Sequence, residues 1–146
     1  MCTSFKQDLF NGLHAFGTSV VRGTTAADSF KAALYLVSGS LGAATTAYGT
    51  TSEVSGTGYT AGGTTITSWN APTTSGTSAY TTPTASFAWT TVTLSTAFDT
   101  VLVYNNTASG KNAVSVHTFG SQTVTAGNFT LTMPTNAAGT ALLQIS

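Results

Sequence analysis

The spacing of apolar residues predicts one helix at the start of the chain. Phe5, Leu9, Leu13 and Phe16 recur every three or four residues, which places them on one face of a helix over residues 3–16. A short helix with a single apolar face must cover another element. We expect that element to be a β-sheet, because the pattern changes further along the chain.

From residue 30 onward the pattern is typical of short strands. Residues 30–37 contain almost no polar side chain and predict a strand that is covered on both faces. Further patterns predict strands at 64–69, 86–94, 100–104, 113–119, 123–133 and 141–145, and residues 43–48 predict a weak strand or an extended loop. Turn-forming residues separate the later strands at 105–111, 120–122 and 134–139.

Residues 70–84 differ from the segments around them. They combine Pro72, Gly76 and Pro83 with many Thr and Ser residues, and they show no apolar period. This composition predicts a long exposed loop. Loops longer than about 12–15 residues commonly bind something or line an assembly, so we expect this loop to contact a neighbouring subunit.

These elements predict the fold class. Short alternating strands with turns every ~8–12 residues are typical of antiparallel sandwiches and barrels. We therefore expect residues 1–146 to form a single mainly-β domain, an antiparallel β-sandwich or open barrel with one N-terminal α-helix. Strand edges normally carry charges that prevent pairing with other chains. This chain has few charges, so we expect its edges to be covered, or used, by a partner.

Composition changes the functional picture. Only 5% of the residues are charged, four basic and four acidic, against about 25% in ordinary soluble domains. The chain contains 32 Thr and 16 Ser, and its net charge is zero. Zero net charge favours association, and the chain lacks the cluster of basic residues that binds a phosphate backbone. A hydroxyl surface of this kind suits a multi-copy assembly, and it argues against a freely diffusing enzyme and against nucleic acid as a partner.

The hydropathy pattern indicates a chain that folds in a cytoplasm and does not enter a membrane. No run approaches the ~20 apolar residues of a membrane helix, and Lys6 and Asp8 interrupt any apolar signal at the N-terminus. The mean hydropathy of +0.19 argues against disorder. The single cysteine, Cys2, allows no internal disulfide, and whether it forms an intermolecular bond stays open.

The titratable residues do not form a recognisable catalytic motif. Ser115, His117 and Asp99 could be combined as a triad, but Ser115 and His117 are two residues apart on one predicted strand, and no G-x-S-x-G motif is present. We expect His117 to be a strand-surface residue and His14 to lie on the surface or boundary of the helix. We expect no catalytic residue and no enzymatic activity.

Metal and cofactor sites are likewise not expected. One Cys and two distant His provide no ligand pair, and the glycines between Gly56 and Gly63 lack the following Lys of a phosphate loop. The aromatic residues leave two interpretations open, a sugar-stacking platform or core and interface anchors. They are Tyr48, Tyr59, Trp69, Tyr80 and Trp89.

Several segments in order along the chain resemble a family of small virion proteins of tailed bacteriophages. The most specific is Thr46-Ala47-Tyr48 followed by residues 52–63, SEVSGTGYTAGG. The accompanying segments are FKQDL at 5–9, SFKAALY at 29–35, VYNNT at 103–107 and VTAGNFTL at 124–131. The loop at 70–84 departs from the shorter versions of the pattern, which leaves the role of that loop open.

The resemblance implies a structural component of the virion, with no catalytic residue to transfer. We expect a capsid decoration or cement protein that contacts the major capsid protein, copies of itself, or both. One alternative is a protein associated with the tail, neck or fibre. A second alternative, from a different class, is a receptor- or glycan-binding β module that uses Trp69 or Trp89.

Overall fold

The computed structural model describes residues 1–10, 12–16 and 26–146. In these residues it contains one helix, α1 (Thr3–Phe10), and seven strands. The strands are β1 (Phe30–Leu36), β2 (Thr64–Ile66), β3 (Thr73–Ser75), β4 (Ser78–Thr81), β5 (Phe87–Asn105), β6 (Ala113–Leu131) and β7 (Leu143–Ile145). They form two antiparallel sheets, in the orders β2-β1-β5-β6 and β3-β4-β7. Neither sheet closes into a barrel, so the predicted mainly-β class with one N-terminal helix is confirmed.

Strand β1 lies in the middle of the larger sheet and is covered on both faces, as its apolar run predicts. Ala32, Ala33 and Leu34 are fully buried. One edge of β1 pairs with β5 along its whole length. The other edge is divided between β2, which pairs with residues 30–32, and residues 52–54, which exchange backbone hydrogen bonds with Leu34 and Leu36.

The hairpin of β5 and β6 is the largest feature of the fold, with 19 residues in each strand. We predicted four shorter strands here, and the predicted turn at 120–122 is wrong. Between the pairs Phe98↔Gln122 and Thr100↔Thr118, β6 advances by more residues than β5 does. Residues 119–121 therefore form a bulge within a continuous strand, which bends the strand without ending it.

Such bulges bend the hairpin so strongly that side chains from two distant parts of β6 come into contact. Ten residues of straight strand would separate Phe119 from Phe129 by roughly 33 Å, yet their ring centroids lie 5.5 Å apart. Phe129 also meets Phe98 edge-on at 4.9 Å, and Trp89 lies 5.8 Å from Phe129. Phe98 is fully buried. The far end of the hairpin thus folds over its own aromatic side chains.

Side chains replace hydrogen bonds that the ladder loses at two other bulges. Thr91 and Ala126 both have a positive φ, 54° and 46°. The Thr91 N–H donates to Asn128 Oδ1 at 2.9 Å, and the Ala126 N–H donates to Thr93 Oγ1 at 3.1 Å. A positive φ is unfavourable for a β-branched residue such as Thr91, so this bulge is held by its surroundings.

The helix is shorter than its apolar spacing predicts. It ends at Phe10, whereas we predicted a helix to residue 16. Gly12 adopts a positive φ of 64°, and the N–H groups of Gly12 and Leu13 bond back to Leu9 and Asp8. This left-handed residue stops the helix. Phe16 nevertheless joins the core, stacked on Phe30 at 4.6 Å.

The predicted loop at 70–84 is instead a hairpin. Strands β3 and β4 pair around Gly76, whose φ is 58°, and β4 also pairs with the C-terminal strand β7. Threonine favours extended backbone, and Gly76 supplies the turn, so a segment without apolar alternation still forms a sheet. The tip of the hairpin is exposed as predicted, with every residue from 71 to 77 open to solvent. Thr81, Thr82 and Pro83 are buried, so the prediction of an exposed segment is wrong there.

Truncating Phe98 tests the folded-over hairpin. We expect Phe98→Ala to lower the free energy of unfolding by about 3–5 kcal/mol, because it removes the ring that Phe119 and Phe129 cover. Urea unfolding followed by tryptophan fluorescence measures the change. Val37→Ala is the control, because Val37 is 48% exposed and surface changes usually stay within about 0.5 kcal/mol. Equal losses in the two variants would contradict the packing.

Candidate functional site

The charged side chains of the described residues are partly buried. Six of the eight charged residues have described side chains, and none of the six is fully exposed: Asp8, Asp28, Lys31, Glu53, Asp99 and Lys111. Most of them bond to neutral groups of the chain. The Lys111 ammonium, for example, donates to the backbone and side-chain oxygens of Asn106 at 2.6 and 3.0 Å. Among the described residues, the exterior is therefore even less charged than the composition suggests.

Glu53 lies at the centre of the most organised polar cluster. Residues 52–54 pair with the edge of β1, and Glu53 lies opposite Tyr35. Its carboxylate accepts hydrogen bonds from the Tyr48 hydroxyl at 2.6 Å, the Tyr59 hydroxyl at 2.9 Å and the Gly62 N–H at 2.7 Å. Hydrogen bonds to a carboxylate are roughly twice as strong as neutral ones. This carboxylate therefore fastens residues 48–62 to the sheet.

The tyrosines around Glu53 are held in their protonated form. Burial raises the pKa of Tyr48 and Tyr59, and the Glu53 carboxylate raises both further. Burial, with the same carboxylate nearby, also raises the pKa of Tyr35 and of Tyr104 to about 12. Tyrosines that keep their protons remain hydrogen-bond donors. The Tyr59 hydroxyl also accepts from the Leu34 N–H at 3.0 Å, so the cluster serves to hold the chain together.

Ser115 and His117 do come together, as neighbours on one face of β6. His117 Nε2 lies 2.9 Å from Ser115 Oγ, and burial lowers the pKa of His117. Ser115 is fully buried, so a substrate has no access to its hydroxyl. Asp99 accepts a hydrogen bond from the Thr100 hydroxyl at 2.8 Å and is not bonded to His117. His117 is half-buried, which is deeper than the predicted strand surface.

His14 is not the helix-surface or boundary residue that we predicted. It lies beyond the end of α1, and its side chain is fully buried. No signal in the sequence indicated this position, because the shortened helix changes which residues face the sheet.

The aromatic residues are distributed over separate parts of the core. Trp69 is 3% exposed and packs edge-on against Phe16, whereas Trp89 is 5% exposed and lies beside Phe129. Tyr48 and Tyr59 bond to Glu53. The structure therefore brings together no exposed sugar-stacking platform from these four residues, and the fifth, Tyr80, is half-buried on strand β4.

Metal binding and membrane insertion are two further possibilities. Within residues 1–10, 12–16 and 26–146, no three His, Cys, Asp or Glu side chains are placed to bind a metal ion. No helix in the same ranges is long and apolar enough to cross a membrane.

The remaining candidate is a surface for assembly rather than a pocket for chemistry. Exposed hydroxyl residues cover the β3–β4 hairpin, residues 71–77, and continue along β5 and β6. On β5 and β6 they are Thr90, Thr91, Ser95, Thr96, Thr118, Ser121, Thr123, Thr125 and Thr130. The bulges of β6 make its outer edge irregular, and bulges hinder edge-to-edge pairing. We name residues 71–77 the hydroxyl hairpin and treat it as the candidate contact surface.

Comparison with known proteins does not identify a relative: no family model, no curated protein and no solved structure matches the chain significantly.

Replacing Glu53 tests its fastening role. We expect Glu53→Gln to lower the free energy of unfolding by about 1–3 kcal/mol, because the amide loses the charge that strengthens three hydrogen bonds. Equilibrium unfolding in urea measures it. Asp99→Asn is the matched control, since, among the described residues, the Asp99 carboxylate accepts a hydrogen bond only from the neighbouring Thr100 hydroxyl. An unchanged stability in Glu53→Gln would contradict the role.

Proposed function

We propose that this chain is a structural protein of a bacteriophage particle, present in many copies and bound to the shell as a decoration or cement protein. The proposal rests on one observation: no charged side chain is fully exposed on the described surface. All six described charged side chains are partly buried, while residues 71–77 are exposed and uncharged. The resemblance of residues 46–63 to virion proteins points in the same direction.

The physical reason concerns the cost of covering a surface. Burying a charge removes it from water at a large free-energy cost, whereas hydroxyl groups lose less and can bond to a new partner. A surface of hydroxyl and small side chains therefore loses little solvation free energy when a partner covers it. When the same contact recurs around a shell, many weak contacts act together. The partners would be the major capsid protein, copies of this chain, or both.

The alternative within the particle is a protein of the tail, neck or fibre. A closed ring or trimer in solution would favour that alternative, whereas a monomer that binds only assembled shells would favour cement. A glycan-binding module has less support, because Trp69 and Trp89 are 3% and 5% exposed and offer no open ring face to a sugar.

Co-sedimentation tests the proposal. The chain is incubated with shells assembled from the major capsid protein of the same phage, and the bound fraction is measured after centrifugation. We expect wild-type chain to bind at regular, saturable copy number, and Thr74→Glu with Thr77→Glu to reduce binding strongly, because the contact would then have to bury two carboxylates.

The matched control places the same charges elsewhere on the exterior. Thr50 and Thr51 are also exposed, so Thr50→Glu with Thr51→Glu should leave binding near the wild-type level. Absence of wild-type binding to any assembled shell would contradict the decoration role. Equal losses in the two double variants would contradict the hydroxyl hairpin as the contact.

A further inference from the structure

The N-terminal residues are attached to the larger sheet by a few specific contacts. The Cys2 N–H donates to the Val114 carbonyl of β6 at 3.1 Å, and Cys2 is fully buried. Phe5 is 2% exposed and lies 4.9 Å from the His14 ring. Further along, the Asp28 N–H donates to the Ala15 carbonyl at 3.1 Å, and the Ala15 N–H donates to the Asp28 carboxylate at 2.9 Å. We name the described residues 1–10 and 12–16 the N-terminal strap.

His14 lies where the strap meets the end of β5. Its Nδ1 is 3.1 Å from Asn105 Nδ2, and its Nε2 is 3.6 Å from the Asp8 carboxylate. Asn105 Nδ2 also donates to Asp28 Oδ2 at 2.7 Å. His14 Nε2 is buried and has no hydrogen-bond partner among the described residues. The imidazole thus lies beside Asp8 of α1, and through Asn105 at the end of β5 it is linked to Asp28 in the segment before β1.

The orientation of the Asn105 amide determines the protonation of His14. Asn105 Oδ1 accepts from the backbone N–H groups of Thr107 and Ala108, at 2.9 and 3.1 Å. Its Nδ2 must therefore face His14. One of the two Nδ2 hydrogens points to Asp28 Oδ2, and the other is directed at His14 Nδ1 and, at the longer distance of 3.5 Å, at the Leu13 carbonyl. His14 Nδ1 can then only accept, so the ring is neutral and carries its proton on Nε2, toward Asp8. A proton on Nδ1 would place N–H against N–H.

We propose that His14 is an acid-sensitive latch: protonation of its ring below about pH 6.5 releases the N-terminal strap from the sheet. Protonated His14 cannot accept from Asn105, and turning the amide would remove the acceptor for Thr107 and Ala108. Release would uncover Cys2 and the aromatic side chains that Phe5 and Phe16 cover. This inference concerns regulation and does not depend on the proposed virion role.

The charged groups around His14 and the burial of its ring shift its pKa in opposite directions. Asp8 faces the ring from α1, and Asp28 faces it from the segment before β1. Burial lowers the pKa of His14 and outweighs these two carboxylates, which raise it. A lowered pKa in the closed form means that the open form binds more protons. The closed form is therefore most favoured above about pH 6.5, and it loses stability as the pH falls below that value.

Labelling of Cys2 reports opening directly, since the chain has one cysteine. The rate of reaction with a dithiodipyridine is measured from pH 7.5 to 5, well into the range where histidine titrates. At each pH it is divided by the rate for the urea-unfolded chain. We expect the normalised rate to rise by up to about tenfold per pH unit below pH 6.5, as release coupled to one proton requires.

Two histidine variants distinguish the latch from general acid destabilisation. His14→Asn keeps an oxygen that can accept from Asn105 but does not titrate, so its normalised rate should be independent of pH. His117→Asn should retain the wild-type rise. A flat rate in the wild type, or an equal rise in His14→Asn, would overturn the proposal.

Histidine-ring nuclear magnetic resonance of the unaltered protein provides a test that needs no variant. The ring nitrogens of His14 should show the neutral form with the proton on Nε2 at pH 7.5. A proton on Nδ1 at that pH would overturn the proposal.

Discussion

The fold depends on the burial of Phe98 inside its own hairpin. Two strands of 19 residues would form a long flat ribbon if they were regular, with too little apolar surface covered for independent stability. Bulges in both strands bend the ribbon until Phe119 and Phe129 close over Phe98. The larger sheet thereby gains a second group of contacting aromatic rings, in addition to the group that Phe5 and Phe16 of the strap form with Phe30 and Trp69.

The few charged side chains mainly form hydrogen bonds within the protein. Glu53 fastens the segment of residues 48–62 through two tyrosines and a backbone N–H, and Asp28 holds both the strap and Asn105. Because these carboxylates are partly buried and already hydrogen-bonded within the protein, few charged groups are open to solvent on the described surface. The proposed role in a particle follows from that distribution: a surface of hydroxyl groups loses little solvation free energy when a neighbouring subunit covers it.

Sequence patterns could predict the class of fold and its central strand, because β1 is an uninterrupted apolar run that becomes buried on both faces. They could not predict that residues 120–122 continue β6, since a bulge and a turn use the same small and polar residues. Nor could the helical period reveal that α1 ends at Phe10, which moves His14 into the core. The Glu53 cluster had one signal, a lone carboxylate between Tyr48 and Tyr59 in a nearly uncharged chain, but only the fold shows that the three meet.

The bend of the hairpin can be measured directly in solution. With phenylalanine rings selectively labelled, nuclear Overhauser contacts report which rings touch. We expect contacts between the Phe119 and Phe129 rings, and between each of them and Phe98. A spectrum in which β5 and β6 remain paired from Phe87 to Asn105, while Phe119 and Phe129 show no contact, would contradict the account and describe a straight hairpin instead.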